Sequence, residues 1–235
     1  MKKFNRVVIK ISGEALAGEK KTGFDFDLIS TVCEVLKKAS EQGTQIGIVI
    51  GGGNFWRGVK DGAGKVERVN ADRMGMLATC MNCVAVCDVL RQMGARARVM
   101  TAVDIQGVGE RYDTRRAIEC LEAGEIVLFA GGSGAPFFST DTAAALRAAE
   151  IHADALLLAK NIDGVYSADP RHKPDAVRYD RISYDEVLAK HLAVMDSTAT
   201  SLAMDNSIPA LVFALADPEN ILRVLNGEAV GTLVS

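Results

Sequence analysis

IGIVIGGGNFWRG, residues 46 to 58, runs from an apolar strand into three consecutive glycines and reaches a tryptophan and an arginine within the next few positions. Glycine accepts backbone conformations closed to other residues and lets main-chain N–H groups approach an anion closely. A strand that ends in such a loop, beside a guanidinium, therefore reads as a place where a phosphate is gripped. Two other segments repeat the pattern: KISGEAL (10 to 16) follows the run RVVIKI (6 to 11), and GGSGAPFFSTD (131 to 141) follows EIVLFA (125 to 130). Ligands of open α/β sheets collect where loops leave the carboxyl ends of strands. Three glycine loops at equivalent strand ends predict one ligand site.

The strand candidates continue through QIGIVI (45 to 50), ARVMT (97 to 101), ALLLAK (155 to 160) and PALVFA (209 to 214), with helical stretches between them. This alternation predicts an α/β fold: a three-layer αβα sandwich around a mostly parallel sheet. DLISTVCEVLKKASEQG (27 to 43) is amphipathic and ends in glycine, and Asp141 is positioned to cap TAAALRAAE (142 to 150). No repeat or linker divides the chain, so residues 1 to 235 are read as a single domain. DGVYSADPRHKPDAVRYD (163 to 180) is its most irregular segment.

Composition narrows the partners. Apolar residues make up 49% of the chain, charged residues 24%, and the formal net charge is −3. No basic field is present to hold a nucleic acid backbone or an anionic membrane. Lys10 interrupts the only apolar run near the N-terminus, so neither a signal core nor a membrane span is expected there, and the reading is a soluble cytoplasmic protein. Of five cysteines, Cys80, Cys83 and Cys87 form a C-x2-C-x3-C run. Zinc or redox chemistry is one reading. The other, preferred because the three thiols share a helix face with Leu and Val and have no histidine nearby, is that they are small core residues. Cys33 and Cys120 are scattered, which argues against a disulfide framework.

Commoner phosphate and hydrolase templates fail. There is no G-x-x-x-x-G-K-[ST] and no loop spells G-x-G-x-x-G, which disfavours P-loop and dinucleotide-binding readings. GGSGA is one residue from a nucleophile elbow at Ser133, but His152, His172 and His191 all lack the setting of a catalytic base. What remains is a site rich in phosphate grips and poor in acids and bases. That suits phosphoryl transfer, where positioning and charge neutralisation dominate, onto an acceptor already ionised near neutral pH. Lys10, inside an otherwise apolar strand, is either a residue of that site or an edge lysine facing solvent.

Taken together, KISGEAL, VIGGGNFWRG (49 to 58), ADRMGMLAT (71 to 79), GSGAPFFSTD (132 to 141), KNIDGVYSADP (160 to 170), VMDSTA (194 to 199) and GEAVGTL (227 to 233) resemble the bacterial uridylate (UMP) kinases of the amino acid kinase superfamily. The resemblance spans essentially the whole chain and implies the amino acid kinase fold, with the N-terminal part mainly binding UMP and the C-terminal part mainly binding ATP. It implies that Lys10, Ile11, Ser12 and Gly13 wrap the ATP phosphates, with Lys10 spanning donor and acceptor. Gly52 then lies on the acceptor side and Gly53 on the donor side, where any Cβ would hold the phosphates apart, and Arg57 neutralises phosphate charge.

Asp72 resembles the aspartate that receives the ribose hydroxyls of UMP; its plainer role is an N-cap of the helix beginning DRMGMLAT. Ser133, Gly134, Ala135, Pro136, Phe137, Phe138, Ser139 and Thr140 correspond to the loop enclosing UMP, with Ala135 replacing the asparagine common there. On the donor side the resemblance implies Asn161, with Lys160 as the neighbouring alternative, together with Tyr166 and Asp169. Asp169 would position Lys10 or the metal-bound phosphates, or else serve only the turn of an Asp-Pro pair. Asp196 is expected to cap its helix and to orient Lys10 indirectly.

The implied activity is transfer of the γ-phosphate of ATP to UMP, with Mg2+ on the donor oxygens and no resident protein cage for it. The alternatives are a superfamily kinase acting on carbamate, acetylglutamate or another phosphate acceptor, and a nucleotide-binding sensor without chemistry. Homohexamers, activation by GTP and inhibition by UTP are implied by the resemblance alone, the stretch GEKKTGFDFD (18 to 27) lying where relatives carry an effector-related loop.

Overall fold

The computed structural model describes residues 4 to 57, 64 to 173, 175 to 192 and 194 to 235. Gly58 at the end of the opening glycine segment, Pro174 of the irregular segment and the first three residues lie outside them. The six expected strands are present: β1 Arg6–Ile11, β2 Gln45–Ile50, β3 Ala97–Thr101, β5 Ile126–Ala130, β6 Ala155–Lys160 and β10 Ala210–Ala214. Short strands β4 Glu110–Arg111, β9 Arg181–Ile182 and β11 Thr232–Val234 complete a nine-stranded sheet of order β4-β3-β5-β2-β1-β6-β10-β11-β9. Its pairs are parallel except β10 with β11. A separate two-stranded hairpin joins β7 Val165–Tyr166 to β8 Arg178–Tyr179.

The central strands are apolar on both faces because helices cover both. Val7, Ile9 and Ile11 of β1 pack into one core layer with α2 Phe26–Glu41, α3 Arg68–Gln92 and α8 Asn220–Leu225, while Val8 faces the other layer. That second layer holds α4 Thr114–Glu122, α5 Thr140–Glu150, α6 Tyr184–Ala189 and α7 Ser197–Asp205, leaving the one-turn helix α1 Gly13–Leu16 at the end of β1. Burial on both faces is what parallel strands require, and each of these side chains contributes about 1.5–3 kcal/mol by leaving water.

The cysteine run is core, as its helix face indicates. Cys33, Cys80, Cys83, Cys87 and Cys120 are all buried free thiols, and burial pushes Cys33 up to about 12, far from reactive thiolate. Helix α3, the one helix among the described residues long and apolar enough to cross a membrane, has 50% of that stretch buried inside the fold.

Two capping expectations need correction. Helix α5 is capped by Ser139, whose Oγ accepts the N–H groups of Asp141 (3.0 Å) and Thr142 (3.1 Å), so the Asp141 carboxylate is free for another role. Helix α3 begins at Arg68, four residues before Asp72, because RVNA already satisfies helical geometry; Asp72 lies inside the helix and does not cap it.

Candidate functional site

Strands β5, β2, β1 and β6 are consecutive and parallel in the centre of the sheet. The three glycine loops therefore emerge side by side at one edge, with Lys160 at the end of β6 next to them. The loops are in contact. A Cβ on Gly51 would lie 3.2 Å from the Gly13 nitrogen and 3.5 Å from Thr140 Oγ1.

Lys10 sits on β1 between β2 and β6, which rules out the edge-strand reading. It shares a sheet face with Lys160, and helix α5 brings Asp141 down between them. Lys10 Nζ is 2.7 Å from Asp141 Oδ1 and Lys160 Nζ is 3.7 Å from Asp141 Oδ2, with all three side chains largely buried. Lys160 also donates to the Val194 carbonyl. Burial alone would raise the Asp141 carboxyl, but the ammonium groups of Lys10 and Lys160 hold it below the usual carboxylate range. Burial lowers Lys160, against the opposing pull of Asp141. Oδ1 of Asp141 is buried and lacks an aligned hydrogen-bond donor although the Lys10 charge is adjacent. Lys160 also feels the Asp196 carboxylate, so two ammonium groups and two carboxylates meet beside the loop junction.

Asp141 thus takes the place expected of Asp169 beside Lys10. The Asp169 carboxylate accepts from the backbone and side chain of Arg171, which hold it down at about 2. Asp196 caps α7 as expected, accepting from Ala199 N at 2.9 Å, but its other partners are Ser139 Oγ and Thr142 Oγ1. It anchors the N-terminus of α5, the helix that carries Asp141 to Lys10, and its charge also acts on Lys160. Ser133 Oγ hydrogen-bonds to the Ala135 carbonyl and accepts the Ala135 amide, and α5 starts seven residues after Ser133, which does not match a nucleophile elbow.

The glycines serve protein packing first. A Cβ on Gly13 would stand 2.2 Å from the Gly51 carbonyl oxygen, and one on Gly52 would stand 2.9 Å from both the Gly75 carbonyl oxygen and Ala78 Cβ of α3. Gly53 would meet only the Glu14 side chain, at 3.2 Å. Beneath the loop, Asn54 and Asn82 exchange amide hydrogen bonds at 2.9 and 2.8 Å; Asn82 also donates to Gly51 O at 2.6 Å and Asn54 to Gly23 O at 2.9 Å. Both asparagines are buried. At the mouth, Arg57 pairs with Glu14 at 2.7 Å, both half-exposed, and Trp56 Nε1 donates to Ala71 O at 2.8 Å, fixing the loop to the first turn of α3.

Asp72 bridges α3 to the third loop. Its carboxylate accepts from Arg68 Nε at 2.8 and 2.9 Å and from the Phe137 amide at 2.7 Å, while the Arg68 guanidinium lies 5.2 Å from the Phe137 ring centroid. Phe137 has φ 71°, a conformation costly for an aromatic residue, and Phe137 and Phe138 are both exposed. Tyr166 is half-buried in the β7–β8 hairpin with its hydroxyl on Asp163 at 2.9 Å; Asn161 is exposed at the end of β6.

Among the described residues no group of three or more His, Cys, Asp and Glu side chains could hold a metal ion. Asp141 and Asp196 are already engaged by lysines, hydroxyls and an amide. The donor set fits a phosphate chain that carries its own cation, held by phosphate oxygens and water with few protein ligands. Asp141, expected only as a helix cap, and the Asn54–Asn82 pair are the residues sequence reasoning passed over, while Lys160 enters the sequence reading only as the alternative to Asn161. Lys160 carries the same signal as Lys10, a lysine in an apolar strand.

The chain resembles three solved structures over nearly its full length. A UMP kinase from Bacillus anthracis matches at 39% identity with a TM-score of 0.94, covering 99% of this chain and 96% of that one. A UMP kinase from Ureaplasma parvum matches at 36% identity and TM-score 0.92, covering 98% of each. A uridylate kinase from Archaeoglobus fulgidus matches at 28% identity and TM-score 0.76, covering 100% of each. The family model described as the amino acid kinase family matches residues 5–217. With that match, and with two buried lysines sharing a carboxylate where three glycine loops meet, the chain belongs to the amino acid kinase family.

Proposed function

We propose that this protein is a UMP kinase, transferring the γ-phosphate of ATP to UMP to give ADP and UDP. The observation that carries the reading is the Lys10–Asp141–Lys160 cluster at the junction of the glycine loops, in a chain that matches UMP kinases end to end. Phosphoryl transfer between two phosphates needs no base to deprotonate the acceptor. It needs positive charge held in place where the transferred group gains negative charge. Lys10 spans donor and acceptor oxygens, Lys160 adds a second ammonium from the neighbouring strand, and Asp141 keeps both aimed at the gap. Mg2+ carried by the ATP would supply further charge neutralisation, with Lys10 and Lys160 holding the phosphate chain beside it.

Donor contacts are assigned to Lys10 through Gly13, to Gly53, and to the segment from Asn161 through Tyr166 to Asp169. Acceptor contacts are assigned to Gly52, Asp72 and the loop from Ser133 to Thr140. Arg57, held by Glu14 at the mouth, turns to phosphate when nucleotide enters. The N-terminal part of the domain then serves mainly UMP and the C-terminal part mainly ATP, with Lys10 through Gly13 and Gly53 as the N-terminal residues on the donor side. The enzyme acts in the cytoplasm in pyrimidine nucleotide biosynthesis.

An exposed apolar stripe on α3, Met74, Leu77, Met81 and Val84, supports self-association, and the family resemblance supplies the homohexamer as its stoichiometry. Light scattering of the purified protein tests it, a monomer being the contrary result. GTP activation and UTP inhibition complete the reading; rates unaffected by GTP and by UTP would remove it. An ADP-release assay over carbamate, acetylglutamate and the nucleoside monophosphates tests the substrate, and turnover of another acceptor in preference to UMP would overturn it.

A further inference from the structure

The closing motif GEAVGTL (227 to 233) touches neither glycine loops nor lysines, yet it is tied to the hairpin β7–β8. The chain enters β11 through Gly231, at φ 76°, where a Cβ would lie 1.9 Å from the Val212 carbonyl oxygen. Only glycine permits that approach, and it delivers Thr232 opposite Val212 in the antiparallel pair with β10, fully buried. Thr232 Oγ1 accepts the Val165 amide at 2.8 Å and donates to the Tyr179 carbonyl. Val165 and Tyr179 are themselves paired across the hairpin. One hydroxyl therefore bonds to both hairpin strands, beside the Leu233 amide that donates to the Asp180 carbonyl just past β8 at 3.0 Å. Gly164 completes the fit, since a Cβ there would lie 2.7 Å from the same oxygen.

We propose that Thr232 is a positioning residue for the donor nucleotide, holding the hairpin that carries Tyr166 and that begins at Val165, shortly after Lys160 ends β6; this rests on the assignment of residues 161 to 169 to ATP. A two-residue-per-strand hairpin has too little pairing to fix itself. A hydroxyl that donates and accepts at once is the smallest group able to satisfy both facing main-chain groups. Valine has the same shape and satisfies neither, while serine keeps the chemistry.

The test compares Thr232→Val, Thr232→Ser and Gly164→Ala in the full chain. It reads KM for ATP and for UMP, kcat, direct binding of Mg-ATP by calorimetry, and hydrogen exchange over residues 164 to 180. Thr232→Val is expected to raise KM and Kd for ATP about tenfold while KM for UMP stays within about twofold, and Thr232→Ser to remain near wild type. Gly164→Ala, which pushes the hairpin off Thr232 without removing the hydroxyl, is expected to give the same ATP-selective loss should Thr232→Val not fold. Faster exchange in the hairpin with an unchanged Kd for ATP would overturn the proposal, as would equal losses for ATP and UMP. Wild-type protein that binds ATP but makes no UDP would contradict the UMP kinase reading alone, because the calorimetric arm does not depend on the acceptor.

Discussion

Lys10 Nζ stands 2.7 Å from Asp141 Oδ1, and Lys160 Nζ 3.7 Å from the other oxygen of the same carboxylate. The two lysines come from adjacent parallel strands and the aspartate from the first turn of the helix laid across them. A single carboxylate therefore orients two ammonium groups at the point where three backbone loops converge.

The first consequence concerns Lys10. Lys10→Ala is expected to lower kcat by at least about a hundredfold, the scale of losing one aimed electrostatic stabiliser. Steady-state kinetics with saturating ATP and UMP measure it, and a loss of only a few-fold would remove Lys10 from the transferring machinery.

The second concerns Asp141 and pH. Its carboxyl is held below the ordinary carboxylate range in the folded protein, so the ionised form stabilises the fold. That contribution is complete above about pH 5, and it is lost as pH falls through the lowered folded value. Asp141→Asn is expected to cost about 2–4 kcal/mol at neutral pH, because two buried ammonium groups lose their shared counter-charge. Chemical denaturation of both proteins from neutral to acid pH should show the gap closing toward acid; a constant gap would show that Asp141 stabilises through packing and not charge.

The third concerns the floor of the second glycine loop. Asn82→Leu leaves Asn54 Oδ1 and the Gly51 carbonyl without their donor, an expected loss of about 1–3 kcal/mol for the buried groups left unpaired. Gly52→Ala should also destabilise, since its Cβ would meet the Gly75 carbonyl oxygen at 2.9 Å. Denaturant midpoints check both; wild-type midpoints in the two variants would mean that the loop does not depend on α3.

A fourth concerns Asp72, which holds the Phe137 amide as well as Arg68. Asp72→Ala is expected to raise KM for UMP about tenfold, with a smaller effect on kcat and on KM for ATP. Equal effects on both nucleotides would contradict its assignment to the acceptor.

The architecture was readable where apolar runs were long. RVVIKI, QIGIVI and ALLLAK announce strands because both their faces are buried, and the glycine loops follow them directly. Strands β4, β7, β8, β9 and β11 were not readable, since two or three residues carry no period and are held by distant groups such as Thr232. The same limit acted at the site. Lys10 stood out as a charge inside an apolar strand, but Asp141 looked like a helix cap, because nothing local reveals that Ser139 performs that task. The resemblance puts Asp169 beside Lys10 or the metal-bound phosphates, yet the fold gives its carboxylate Arg171 as partner. Asn54 and Asn82 lie 28 residues apart, and only the tertiary structure brings their amides together.

The most direct test of the account is ADP release with Mg-ATP across a panel of nucleoside monophosphates, using the wild-type protein with Lys10→Ala as control. The account predicts turnover with a clear preference for UMP, UDP as product, and collapse of that turnover in the variant. Preference for another acceptor, or UDP formation at the same rate without the Lys10 ammonium, would contradict it.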